Sequence, residues 1–389
     1  MPFDGKVTPP TINPIEQCYR ALCTAGRAPQ RLFSGNPAEH GLAFPTELLD
    51  TCYLPHGRAT DYTPDPQGAP DARAAISGYY AAHGAMVPPE QITLTSGSSE
   101  SFRYVCDLLT QPGDQILVPC PSYPLFDEIA RVAHVELCPY HLDETRGWRI
   151  DLDSVADGIT ERTRAIAIVS PHNPTGSVAT LDELQALIAL AAKHRVALIC
   201  DEVFSECYFG PDPFPRTITV GTPWRCFTLN GISKLLALPQ LKLSWIAATG
   251  IDPTLPRLLD DLARIADAFL SVHQPIQRAL PALLEQSAAF RCDFVAEVRR
   301  RRDTAYAALR AIPNVHCQEP VGGFYLTARL ETTRWSDEDA LLCALMRDHG
   351  VFFHPGYFYD MDDGLRIVCA FLTPPEILLR GIAALRSVL

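Results

Sequence analysis

Five short segments of this chain carry residues able to do chemistry, and each follows an apolar run. Lys234, in Asn230-Gly-Ile-Ser-Lys234, is followed by Leu235, Leu236, Ala237 and Leu238. Such surroundings disfavour the ammonium and lower its pKa, which suits an amine that traps a carbonyl; the plain alternative is a lysine that snorkels to the surface. Asp201-Glu202 closes the run Ala197–Cys200, and a carboxylate there either contacts a ligand or caps a helix. Asn173, in Ser170-Pro-His-Asn-Pro-Thr-Gly176, is held extended by the proline after it, so its amide can donate to a ligand oxygen. Tyr123, in Cys120-Pro-Ser-Tyr-Pro124, is either a packed turn residue or a ring that stacks on a planar ligand. Ser96-Gly97-Ser98-Ser99-Glu100 opens a helix after Gln91–Thr95. Free N–H groups and the helix dipole favour a phosphate at such a turn, although many Ser-Gly turns only cap their helix.

The elements that must position these residues are legible as alternation. From about residue 90 to 250, apolar β-rich runs at Gln91–Thr95, Gln115–Val118, Val135–Cys138, Ala165–Val169, Ala197–Cys200, Cys226–Leu229 and Leu243–Ala248 are separated by amphipathic stretches. This predicts βαβ units and a mostly parallel, seven-stranded sheet flanked by helices, with ligands bound beyond the carboxyl ends of the strands. Thr180-Leu-Asp-Glu183 is a capping box that starts a helix reaching about Arg195. Beyond 250 the chain turns helical over Asp252–Phe269 and Pro275–Leu309. Strand-like Gly322–Leu326 and Leu365–Ala370 then flank a helix near Asp337–Asp348, predicting a smaller α+β unit. The run Arg299–Arg302 reads as a solvated helix surface neutralised by Glu297 and Asp303. The expected division is an N-terminal arm at 1–45, a large domain at 46–280 and a small domain at 281–389, with the site between the two domains.

Composition narrows the function. The 389 residues are 47% apolar and 20% charged, and 33 Lys plus Arg against 45 Asp plus Glu leave a net charge of −12. That is a globular balance whose surface repels nucleic acid and anionic lipid, so neither is an expected partner. Met1–Lys6 has no signal-peptide pattern, and no apolar stretch is long enough to span a bilayer, so a cytoplasmic location is expected. Thirteen cysteines without a C-x-x-C pair predict reduced thiols, and eleven scattered histidines predict no metal site.

The order and spacing of these motifs resemble the class I/II aminotransferases, pyridoxal 5'-phosphate enzymes of fold type I. The resemblance spans nearly the whole chain: Gly35-Asn-Pro37, Tyr62-Thr-Pro with Gly68 and Arg73, Asn173-Pro-Thr-Gly176, Asp201-Glu-Val203, Ser233-Lys234, Gly322-Gly-Phe-Tyr325 and Leu365-Arg-Ile367. It implies that Lys234 forms the lysine aldimine with the cofactor and then moves the Cα proton. It implies that Asp201 keeps the pyridine nitrogen protonated, Asn173 binds the ring oxygen and Tyr123 stacks on the ring. Gly97, Ser98, Ser99, Ser233 and Lys242 would surround the phosphate, with Tyr62 reaching the cofactor of a partner subunit in a homodimer. Arg366 would grip the substrate α-carboxylate with its planar fork, beside Gly35 and Asn173.

Three departures stand out. Phe204 occupies a position where the family usually has Tyr, Lys242 one where it has Arg, and Gly231 one where Ser often contacts the phosphate. The last two predict weaker phosphate anchoring, compensated by Ser98 and Ser99. The implied activity is transfer of an α-amino group between an amino acid and a 2-oxo acid. The alternative is a carbon–sulfur β-lyase or related Cα-carbanion enzyme on the same fold. A cofactor-sensing regulator is disfavoured because too few residues precede the match for a DNA-binding segment. Tyr19, Arg20, Phe33, His354, Tyr357 and Phe358 are candidates for the side-chain pocket.

Overall fold

The computed structural model describes residues 13–221 and 223–389; the opening Met1–Lys6 therefore lies outside the described residues. Strands β1 (Ile92–Thr95), β2 (Gln115–Cys120), β3 (Glu136–Asp143), β4 (Arg149–Ile150), β5 (Thr163–Val169), β6 (Ala197–Asp201), β7 (Cys226–Gly231) and β8 (Ser244–Thr249) form one sheet in the order β1-β8-β7-β6-β5-β2-β3-β4. All neighbours on the path from β7 to β3 are parallel, while β8 and β4 run antiparallel to theirs. The α/β architecture is as expected, with eight strands instead of seven. The extra one, β4, is two residues long and carries no periodic signal of its own. It is fixed by its return against β3 and by the Ile150 N–H donating to Glu183 Oε1 at 2.7 Å.

Helices cover both faces because the central strands are apolar on successive residues. On one face, α1 (Ser98–Leu109) and α2 (Leu125–Ala133) pack Phe102, Val105 and Phe126 onto Ile116, Val118, Ala167, Ile199 and Leu229. On the other, α3 (Leu181–His194) places Leu184, Leu187 and Ala191 on Ile166, Ile168 and Leu198. Its capping box is complete: Thr180 Oγ1 accepts the Glu183 N–H at 3.3 Å, and Glu183 accepts the Thr180 N–H at 2.6 Å.

A second core joins the two ends of the chain. Ile15, Cys18 and Leu22 of the helix Pro14–Thr24 pack with Phe294, Val298, Leu341, Leu342, Ile367 and Ile382. Its sheet is β9 (Val315–His316), β10 (Tyr325–Leu330), β12 (Leu365–Ala370) and β11 (His354–Pro355), all antiparallel in that order. The helical stretch expected over Pro275–Leu309 is two helices, Gln274–Gln286 and Ala288–Arg310, parted at Ser287. The first buries Ile276, Leu280 and Leu283 in a core with Trp245; the second buries Phe294, Val298 and Leu309 in the second core.

The reading of Arg299–Arg302 as solvated needs correction. Arg300 is exposed and paired with Glu297, but Arg301 and Arg302 are buried. Arg301 donates to the carbonyls of His40 and Leu372, and Arg302 to Pro320 O at 2.7 Å and Glu319 at 2.7 Å. Charge runs give no warning of this, because the carbonyls come from chain segments far away in sequence.

Candidate active site

The carboxyl ends of three parallel strands form one row. Val169 of β5 is in register with Asp201 of β6, and Asp201 with Leu229 of β7. The residues that follow each strand, Asn173, Glu202 and Lys234, therefore leave the sheet at one edge, as the parallel topology dictates.

Lys234 lies at the end of the short helix Ile232–Leu235. Its Nζ donates to Gly35 O at 2.8 Å and faces the rings of Phe204 and Phe324, whose centroids are 5.8 and 5.7 Å away. Burial draws its ammonium down to about 8, against the opposing pull of Cys207 and Asp201. Burial likewise pushes the Asp201 carboxyl up to about 6, opposed by the Val203 N–H, which it accepts at 3.1 Å, and by Lys234. Its neighbour Glu202 is committed elsewhere, paired with Arg216 in a buried network: Arg216 Nη2 donates to Tyr79 Oη at 3.0 Å, and Tyr79 donates to Glu206 at 2.7 Å. Tyr123 is raised by burial and by the charge of Asp201, which places its phenol within that carboxylate's field.

Several groups are left without protein partners. The amide of Asn173 is nearly enclosed, and its Oδ1 is buried with no hydrogen bond. Asn173 sits in a turn held from behind: Gly176, with φ +70°, accepts the N–H groups of Val321 and Gly322 at 2.8 and 2.9 Å. The first N–H groups of α1, at Ser98 and Ser99, follow an extended Gly97. An aldehyde carrying a pyridine ring and a phosphate matches this set. The lysine is free of any carboxylate hydrogen bond, Asp201 keeps lone pairs, the Asn173 amide is unmatched, and a helix N-terminus is open.

Gly35 must be glycine, because a Cβ there would stand 2.0 Å from Tyr325 Oη. Phe33, two residues earlier, stacks on His354 at 3.5 Å, and Phe358 meets the same imidazole edge-on at 5.3 Å. Two other pocket candidates adjoin this group: Tyr357 meets Phe358 edge-on at 5.0 Å while donating to Asp339 at 2.8 Å, and Tyr19 packs on Phe352, which meets Phe33 at 4.9 Å; Arg20 pairs with Glu16. Ser233 is half-buried beside Lys234, Lys242 is exposed with φ 51°, and Tyr62 is 66% exposed.

Arg366 is buried and its guanidinium is taken up by carboxylates. Its guanidinium meets Glu144 bidentately, at 3.1 and 2.6 Å, and Asp363 at 2.8 and 2.7 Å, above the Trp148 ring. Against burial, which would lower it, the two carboxylates hold its pKa above the ordinary arginine value. Sequence reasoning did not find Glu144, 222 positions from Arg366, and no local signal marks it. It also missed Phe324 and Tyr325 as walls of the lysine site, although their Gly-Gly-Phe-Tyr motif was visible.

Comparison with known proteins agrees with this geometry. The family model for aminotransferase class I and II matches residues 52–379. Alanine aminotransferase of Mycobacterium bovis is 28% identical over 369 residues, covering 92% of this chain and 85% of its own. Glutamate-pyruvate aminotransferase AlaA of Escherichia coli is 28% identical over 331 residues, covering 84% and 81%. Among solved structures, an alanine aminotransferase from Pyrococcus furiosus superposes with a TM-score of 0.90 at 24% identity, covering 97% of this chain and 96% of that one. A lysine desolvated at the carboxyl edge of a parallel sheet, a buried aspartate beside it and a family match over most of the length lead to one conclusion: the chain belongs to the class I and II aminotransferases and is a pyridoxal-phosphate-dependent transaminase.

Proposed function

We propose that Lys234 is the lysine that carries the cofactor and that the enzyme accepts alanine as an amino donor. The carrying observation is the setting of Lys234, enclosed by two phenylalanine rings and a backbone carbonyl, with no cation among the described groups that touch it. A side-chain carboxylate on the donor would find no counter-charge at that wall, whereas a methyl group fits it. The relative named alanine aminotransferase points the same way, whereas the name glutamate-pyruvate aminotransferase includes a donor with a side-chain carboxylate.

Bound pyridoxal phosphate supplies an aldehyde that captures the amino group and a pyridinium that accepts the electrons released at Cα. Asp201 holds the proton on the ring nitrogen, Asn173 donates to the ring oxygen, and Tyr123 stacks on the ring, with Phe204 beside it. Gly97, Ser98, Ser99, Ser233 and Lys242 hold the phosphate. With a pKa of about 8, Lys234 is neutral in about a quarter of molecules at pH 7.5, against about one in a thousand for an ordinary lysine. That neutral amine would take and hold the proton from the substrate Cα. Gly35 and Asn173 border the α-carboxylate, and Arg366 reaches it by exchanging Glu144 and Asp363 for the substrate. Closure of the smaller unit then excludes water.

We also place domain boundaries near 45 and 280; the chain changes cores between Leu42 and Phe44, and again about Ser287, between the helices that bury Leu284 and Phe294. The exposed Tyr62 suits a homodimer in which it serves the partner's site, and thirteen free thiols suit the reducing cytoplasm. The deciding experiment is the absorption spectrum of the holoenzyme titrated with single amino acids and no oxo acid. Stoichiometric conversion to the amine form of the cofactor by L-alanine supports the reading. A persistent spectrum with accumulating ammonia, from cysteine or its derivatives, would show a lyase instead.

A further inference from the structure

We infer that Ser244 is a ligand of the cofactor phosphate, its hydroxyl standing where a side chain at position 231 would project. The inference rests on the cofactor site proposed above and adds a residue to it.

Ser244 begins β8, between two strands that both lead into the site. It is in register with Thr95, whose strand runs into the Ser96–Ser99 turn, and with Gly231, whose strand runs into Ser233-Lys234. Directly opposed residues of an antiparallel pair share a face. The pair two residues along, Leu229 and Ile246, packs with Phe102 and Val105 of α1. Gly231 and Ser244 therefore lie on the α1 side of the sheet, level with Thr95 and hence with the start of that helix. The intervening pair, Asn230 and Trp245, faces the opposite way, and Trp245 Nε1 donates to Tyr80 Oη at 3.0 Å there.

The side chain at 244 occupies the space above Gly231. A Cβ built on Gly231 would stand 2.1 Å from Ser244 Oγ, 2.8 Å from its Cβ and 2.9 Å from its backbone Cα. Any side chain at 231 therefore meets position 244, backbone included, and the hydroxyl above Gly231 is the one that Ser244 supplies. Ser244 is 2% exposed. Its hydroxyl makes no hydrogen bond to any described residue, and its register with Thr95 directs it toward the turn that opens α1, where the N–H groups of Ser98 and Ser99 are free. A phosphate oxygen at the α1 terminus satisfies all three.

The test compares wild type, Ser244→Ala and Ser244→Gly, each stripped of cofactor and titrated with pyridoxal phosphate or with pyridoxal, which lacks the phosphate. Loss of one hydrogen bond to a charged oxygen raises the dissociation constant of pyridoxal phosphate about tenfold or more in Ser244→Ala, with that of pyridoxal unchanged. Ser244→Gly, which removes the same hydroxyl without leaving a methyl group above Gly231, shows the same loss specific to the phosphate ester. Unaltered pyridoxal phosphate affinity in Ser244→Ala, or equal weakening of both ligands, overturns the inference. Should Ser244→Ala fail to fold, Ser244→Gly decides alone: a loss specific to the phosphate ester supports the role, and unaltered affinity or equal weakening of both ligands refutes it. Borohydride reduction and peptide mass spectrometry of the wild type keep the two readings apart. A cofactor adduct missing from Lys234 defeats the proposed site, whereas an adduct on Lys234 with unmoved affinities defeats only the role of Ser244.

Discussion

Replacing Asp201 by asparagine stabilises the cofactor-free protein while damaging its chemistry. The carboxyl is raised from 3.8 to about 6 by burial, a shift of about two units and so about 3 kcal/mol. A carboxyl with a raised folded-state pKa favours the folded protein fully below pH 3.8 and loses that contribution as the pH rises through 6. At pH 8 the native cofactor-free protein therefore holds an ionised, desolvated carboxylate at that cost. Asparagine has nearly the same shape, still accepts the Val203 N–H that lies 3.1 Å from Oδ1, and carries no charge. The expected gain is about 3 kcal/mol at pH 8, shrinking to about half at pH 5, where the wild-type carboxyl is mostly protonated when folded. Urea unfolding of both cofactor-free proteins at the two pH values measures it, read from midpoints at constant slope. A variant less stable than wild type at pH 8, or a gain that grows toward pH 5, would refute the desolvation argument. The same substitution removes the partner of the ring nitrogen, and transamination falls by orders of magnitude.

Glu144→Gln loosens the clamp on Arg366. If substrate takes that guanidinium by exchange, KM for the amino acid drops about tenfold, the equivalent of one charge-assisted bond; a lower melting temperature with KM unmoved would mark the cluster as purely structural. Phe204→Tyr introduces a phenol beside the lysine and should lower the pKa of the bound chromophore, read by pH titration of its absorbance; no downward shift counts against the assignment. Arg301→Ala strands two buried carbonyls and leaves Glu297 to Arg300 alone, and denaturation should record a loss of about 2–4 kcal/mol; a loss under 1 kcal/mol would mean that water replaces the guanidinium.

The sheet was legible because its strands are short apolar runs with polar residues immediately after them, and the site residues Lys234, Asp201 and Asn173 are those polar residues. Local chemistry wrote both signals into adjacent positions. What stayed illegible depends on segments distant in sequence. Nothing near Arg366 announces Glu144, nothing near Arg301 announces the carbonyls of His40 and Leu372, and the departure at Gly231 acquires a meaning only when β7 and β8 are laid side by side. The break at Ser287 was hidden too, since two helices with compatible composition read as one until the cores they enter are known.

The neighbours Asp201 and Glu202 show what strand geometry demands of mutation. They are the same functional group one methylene apart, yet one faces Lys234 and the other is locked to Arg216. Exchanging their destinations takes only a shift of one residue along the strand, because alternate residues of an extended chain point to opposite sides. Insertions or deletions between Ala197 and Asp201 are therefore far more damaging than substitutions there. A library of such variants should tolerate changes among Leu198, Ile199 and Cys200 in graded fashion, while changes of length are lost outright.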